Sequence, residues 1–165
     1  MPSPDYKKAE DAADALVKEF HYEEPFVNVF EIALRKGLRL KEYDPDEKAV
    51  LQNAAGFFDP DTKTIYVNKE DPPNRKTFTV AHELGHFLLE HKPSEYGVLP
   101  RWQTPGEEKE AIEKEADAFA ANLLVPKSIL KNVMSKYGLT KEDTSVLAKM
   151  FGVSEVVIRY RVKHI

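Results

Sequence analysis

Near the middle of this 165-residue chain, His82-Glu83-Leu84-Gly85-His86 form an H-E-x-x-H sequence. In a helix, residues four apart lie on one face, so both imidazoles can bind a single ion. Neutral imidazole combined with carboxylate suits zinc at ~2.0–2.2 Å. Glu83 follows the first imidazole on the rim of that face. It can take the proton of a water in an open coordination position. The chemistry this spacing supports is metal-assisted hydrolysis, with Zn2+ as the expected cofactor. The same donors also accept Mn, Fe, Co or Ni. A bare surface helix with two solvated histidines would explain the pattern too. The apolar positions around it, Phe78, Ala81, Leu84, Leu88 and Leu89, speak against that.

A catalytic zinc normally takes three protein ligands and keeps one position for water. His91 is a poor third. The extended pattern H-E-x-x-H-x-x-G-x-x-H needs Gly at 89 and His at 92, where this chain has Leu89 and Lys92. His91 reads as solvated or helix-terminal. The next long helical stretch offers Glu110, Glu113, Glu115 and Asp117. Glu113 and Asp117 stand four apart and flank the apolar seam of Ala116, Phe119, Ala120 and Leu123. One carboxylate a turn before another suits a ligand followed by a residue that orients a ligand imidazole. Glu113 is therefore assigned to the metal and Asp117 to the imidazole behind it. Glu115 is the alternative ligand and Glu110 a weaker one. No residue stands out to steady the oxyanion; Tyr96, His91, Arg101 and Tyr137 are all open.

These residues need elements to hold them. Ala9, Ala12, Ala13, Leu16, Val17 and Phe20 predict an amphipathic helix over 5–20. A second helix is expected from near Pro25 to Gly37, with Phe26, Val29, Phe30 and Ala33 inward. Leu38 and Leu40 alternate with Arg39 and Lys41 as in a strand. Segments 53–59 and 64–68 read as strands around the turn 60–63, with Ile65 and Val67 facing a core. Asp71-Pro72-Pro73 opens the H-E-x-x-H helix, which should run to about His91. Residues 92–103 read as a loop. Thr104 to Glu107 fit a capping box for the next helix, which ends before Pro126. Shorter helices are expected near 127–137, 141–151 and 155–163. Thr140 and Ser154 mark starts, Gly138 and Gly152 stops. The order of elements is α+β. It predicts a single zincin-like domain over 1–165, with a small, mostly antiparallel sheet packed on the H-E-x-x-H helix and a helical C-terminal part.

Thr79-Val80-Ala81-His82-Glu83-Leu84-Gly85-His86 resembles the T-x-A-H-E-L-G-H signature of the ImmA/IrrE family of metallopeptidases. Residues Glu113 to Pro126 resemble its second block, E-x-x-A-[ND]-x-F-A-x-x-L-L-x-P. The stretch 147–154 is similar to its L-A-x-x-F-x-V-S tail. The resemblance covers about residue 26 to the C-terminus, with Val125 standing where many members have Met. It implies that the first Glu of the second block, Glu113, binds the metal. It also implies a zinc metalloendopeptidase in regulatory proteolysis, cleaving a helix-turn-helix repressor.

Composition narrows the remaining classes. The chain has no cysteine, so disulfide scaffolds, thiolate nucleophiles and Cys-type zinc fingers are excluded. That fits a reducing cytosol, and no signal peptide or membrane-length apolar run is expected. A net charge of −4 disfavours generic binding to nucleic acid. The main non-enzyme alternative lies in the C-terminal segment. Ala148, Gly152 and Ile158 match helix-turn-helix positions, and Arg159, Arg161, Lys163 and His164 give a basic face. A helical pair closing the core is preferred, with Val157, Ile158 and Val162 inward and Arg159, Arg161 and Lys163 solvated. A protein-interaction module or a non-catalytic zinc module is the third possibility. Glu83 argues against it, since a structural site needs no base.

Overall fold

In the computed structural model, residues 3–44, 56–91 and 107–165 are described. The expected loop at 92–103, the capping box at 104, Tyr96, Arg101, the side chain of Glu110 and residues 53–55 lie outside them.

Helix α1 (Tyr6–Glu19) begins where the Asp5 carboxylate accepts the Lys8 amide at 2.9 Å. Its buried stripe, Ala9, Ala13, Leu16 and Val17, follows helical spacing. Helix α2 (Val29–Arg35) starts four residues later than the proline suggested. The Asn28 side chain accepts the amides of Phe30 and Glu31, and this cap prevails over Pro25 as a start signal. Phe26 is consequently exposed and Phe30 only half-buried, while Val29, Ile32 and Ala33 turn inward.

Three strands follow: β1 (Arg39–Tyr43), β2 (Gly56–Asp59) and β3 (Thr64–Asn68). Their order is β1-β3-β2. The β2–β3 pair is an antiparallel hairpin, its turn tied by Asp59, which accepts the Asp61 amide and the Thr62 hydroxyl. The β1–β3 pair is parallel, with Arg39 opposite Thr64 and Tyr43 opposite Asn68. The sheet is mixed rather than mostly antiparallel. Strand β3 lies in the middle, so its hydrogen-bonding edges are both taken. Ile65 and Val67 face the core together with Phe58. On the other face Tyr43, Phe57 and Tyr66 form a small aromatic cluster, with Phe57 and Tyr66 stacked at 4.6 Å.

Helix α3 (Pro73–Leu88) packs on β2 and β3. Helix α4 (Glu107–Leu124) lies against both α3 and α1. Small residues make these approaches close: Ala116 and Ala120 on α4, Ala9 and Ala13 on α1, all fully buried. Helix α3 stops three residues before His91. Glu90 adopts φ 58°, the left-handed region, and reverses the chain. The Glu90 amide then donates to Phe87 O at 3.2 Å, and the His91 amide to His86 O at 3.0 Å. This is the Schellman closure, normally built on glycine.

Helices α5 (Lys127–Tyr137), α6 (Thr144–Phe151) and α7 (Glu155–Lys163) complete the chain. Gly138 at φ 62° and Gly152 at φ 67° cap α5 and α6. Helix α6 begins after Asp143 rather than near Thr140, because the Asp143 carboxylate accepts the Thr140 amide and holds 140–143 as a turn. On α7, Ile158 and Val162 are buried while Val157 is half-buried. Arg161 differs from the expected solvated face. It is 4 % exposed, and its Nε donates to Val125 O at 2.9 Å, satisfying a carbonyl just past the end of α4. Among the described residues no helix is long and apolar enough to cross a membrane.

Candidate functional site

From Thr79 to His86 every residue of α3 is buried. The helix runs through the interior with the sheet on one side and α4 on the other, so the solvated-histidine reading of the motif fails. His82 is 0 %, Glu83 2 % and His86 1 % exposed. Polar side chains buried this completely are costly unless satisfied. Such groups concentrate where chemistry is done.

The two imidazoles meet through their Nε2 atoms, 3.1 Å apart. Glu113 on α4 straddles them, with Oε2 2.9 Å from His82 Nε2 and Oε1 3.0 Å from His86 Nε2. The three side chains place ligand atoms within 4.8 Å of one another and could hold a metal ion. A tetrahedral ion bonded at ~2.0–2.2 Å spaces its donors ~3.3–3.6 Å apart, a few tenths of an ångström from these separations. The donor set therefore fits a divalent ion. On the far side of His82, Nδ1 lies 2.7 Å from Asp117 Oδ1. Donation from Nδ1–H to this carboxylate leaves the Nε2 lone pair directed at the cluster.

Burial alone would raise the Glu113 carboxyl. Hydrogen bonds with His82 and His86, and their charge, outweigh it and hold the group well below the usual carboxylate range. The balance favours the ionised carboxylate. His91 shifts downward, through burial first and the neighbouring His86 second, against the opposing pull of Glu115.

The structure brings His82, His86, Glu113 and Asp117 together and keeps Glu83 buried on the same helix. Glu115 lies elsewhere, its Oε1 3.5 Å from His91 Nε2, outside the ligand cluster. His91 is 8 % exposed, not solvated, and its Nδ1 sits 2.8 Å from His86 Nδ1. Sequence reasoning missed this contact because it carried the helix straight through Glu90. Tyr137 is 56 % exposed and lines a separate cleft with Tyr22 and Lys136. Nearer the site, an apolar cavity of about 380 Å³ between Phe78, Val156, Val157 and Tyr160 opens beside Asp117.

The radiation response metalloprotease IrrE of Deinococcus radiodurans is 29% identical over 99 residues, 60% of this chain and 30% of that protein. The same-named protein of Deinococcus deserti is 29% identical over 105 residues, 64% of this chain and 37% of that one. The matched part is about a third of the length of these relatives. A solved Mycobacterium tuberculosis transcriptional regulator shares the fold, with a TM-score of 0.61 at 19% identity, over 92% of this chain and 46% of that one. The model of the IrrE N-terminal-like domain matches residues 22–163, nearly the whole sequence, and the chain belongs to that family.

Proposed function

We propose that this chain is a zinc-dependent endopeptidase with a single zincin-type domain, hydrolysing a peptide bond in a protein partner. The observation that carries the reading is the convergence of His82, His86 and Glu113 on one point inside the protein. A divalent ion held there supplies Lewis acidity toward a peptide carbonyl and acidifies a water. His82 and His86 present Nε2 lone pairs, and Glu113 contributes a carboxylate held in its charged form. Asp117 keeps the His82 ring in the tautomer that leaves Nε2 free. Glu83 takes the proton of the attacking water and passes it to the leaving amine. Glu83 is buried on the same helix, directly after His82, and the H-E-x-x-H spacing supports this role.

Glu83→Gln tests the assignment. The variant should bind zinc as the wild type does and lose turnover. His82→Ala and His86→Ala should lose both. An active Glu83→Gln protein overturns the base assignment.

The partner is a helix-turn-helix transcriptional repressor, and the setting is regulatory proteolysis in the cytoplasm. Support comes from the resemblance of the two sequence blocks and from the radiation-response metalloproteases. The Mycobacterium tuberculosis structural neighbour is itself a transcriptional regulator. Incubation with a helix-turn-helix repressor found encoded beside this gene, followed by mass spectrometry of the products, tests it. Intact repressor after incubation with zinc-loaded protein would refute it. Direct reading of DNA by the C-terminal helices is disfavoured, because the Arg161 guanidinium is turned inward onto Val125 O. An extended substrate segment cannot add to β3, which is already paired on both sides. Strand β2 is the better template, since β1 carries Arg39, Lys41 and Glu42, and charged edges discourage pairing.

A further inference from the structure

The tautomer of His86 has to be fixed as firmly as that of His82. Its Nδ1 faces another imidazole, His91 Nδ1, at 2.8 Å. Between two such nitrogens only one proton fits. If Nε2 of His86 is to offer a lone pair to an ion, the proton sits on His86 Nδ1 and His91 Nδ1 accepts it. A neutral His91 then carries its own proton on Nε2. That atom is buried without a hydrogen bond and points toward Glu115 Oε1, 3.5 Å away.

We propose that His91 is a positioning residue for the metal site, locking His86 in the tautomer that binds the ion, with Glu115 holding His91 in the matching form. The inference rests on the reading of His82, His86 and Glu113 as metal ligands.

The backbone is arranged for this contact. Glu90 takes the left-handed conformation that bends the chain back at the end of α3, and the His91 amide donates to His86 O at 3.0 Å. His91 is therefore tied to His86 through main chain and side chain at once. From α1, Lys8 Nζ donates to Leu89 O at 3.2 Å and adds a further hold on the reversal. Glu115 reaches His91 from α4, the helix that also carries Glu113 and Asp117. The two ligand imidazoles are thus steadied differently. His82 leans on Asp117, whose side chain is half-exposed, and His86 leans on a neutral, buried ring. Glu115 has a part in the site without touching the ion, which accounts for a buried carboxylate on the helix that also carries Glu113 and Asp117.

The test is zinc affinity of the purified protein, measured by competition with a chromophoric chelator, and the visible spectrum of its Co2+-loaded form, which reports the ligand set. His91→Leu removes the acceptor at similar size and should weaken zinc by ~10–100-fold, as loss of a ligand's orienting partner typically does. The Co2+ spectrum should change with it. His91→Asn restores an acceptor near the Nδ1 position and should recover most of the affinity. Wild-type affinity and spectrum in His91→Leu, with binding lost in His86→Ala, overturn the role of His91 and leave the ligand assignment intact. Unchanged binding in His86→Ala overturns the ligand assignment itself. Long-range 1H–15N spectra of zinc-loaded wild-type protein give an answer without any variant. They should show His91 protonated at Nε2 and His86 at Nδ1. A His91 ring protonated at Nδ1 refutes the arrangement.

Discussion

Gly85 sits between the two motif histidines, and its role can be measured. A Cβ built there would lie 2.9 Å from Phe119 Cδ1, 3.2 Å from Cγ and 3.3 Å from Cβ. Carbon atoms in comfortable contact are ~3.5–4.0 Å apart. Rotating the Phe119 ring relieves only the first of these contacts, since its Cβ is fixed to the backbone of α4. Phe119 is fully buried in the core. Gly85→Ala therefore forces α3 and α4 apart by a few tenths of an ångström. Helix propensity favours the substitution by ~1 kcal/mol. Overpacking of a filled core opposes it by ~1–3 kcal/mol. The expected net loss is ~1 kcal/mol, which lowers Tm by ~2–4 °C in a chain of this size. The same displacement moves Glu113 away from His82 and His86, so zinc affinity should fall with stability. Trimming the opposing side chain should relieve both effects, making the double variant with Phe119→Leu less damaged than the two single losses predict. Thermal unfolding of the metal-free protein and a chelator competition give the two readouts. A Gly85→Ala protein stabilised by the full helical gain, with unchanged zinc affinity, refutes the reasoning.

Arg161→Met leaves Val125 O buried without its donor and should cost ~1–3 kcal/mol, while Arg159→Ala, on the exposed face of α7, should be close to neutral by denaturant unfolding. Glu90→Gly removes the side chain from an exposed left-handed position and should stabilise by ~1 kcal/mol, seen as a higher Tm. The Asp14 carboxyl is raised above 3.8 by burial first and by Glu10 second, against the pull of Arg161. Its ionised form is thus penalised in the folded state. Asp14→Asn should raise Tm at pH 7, and the gain should fade as pH falls through the folded value and vanish below 3.8, as a pH series of melts would show.

The geometry of the candidate site was more legible in the sequence than the frame around it. Residues four apart on a helix must share a face, so His82 with His86, and Glu113 with Asp117, follow from local geometry alone. Glycine stops at 138 and 152 are equally local. What escaped was set by partners far along the chain or by conformations the residue type does not favour. Alternation marks 39–41 as a strand but carries no information on which strand it joins or in which direction, so the parallel pairing with β3 was missed. Glu90 gives no sign of the left-handed turn that glycine would announce, and that hid His91 from His86. Arg161 reads as one more solvated cation until Val125 O appears within reach. Asn28 was overlooked because Pro25 is the stronger start signal in isolation.

Among the described residues, both outer strands take their register from β3 alone. The β2–β3 pair closes across the turn 60–63, whereas pairing Arg39 with Thr64 joins residues much further apart in the chain. Closing the longer loop costs more entropy, so the hairpin is expected to assemble first and β1 to dock onto it. In native-state hydrogen exchange, β1 amides should open at a lower free energy than those of β3. Helix α3 packs on β2 and β3. The helix bearing His82 and His86 can therefore stay seated while one strand of its own sheet exchanges with solvent.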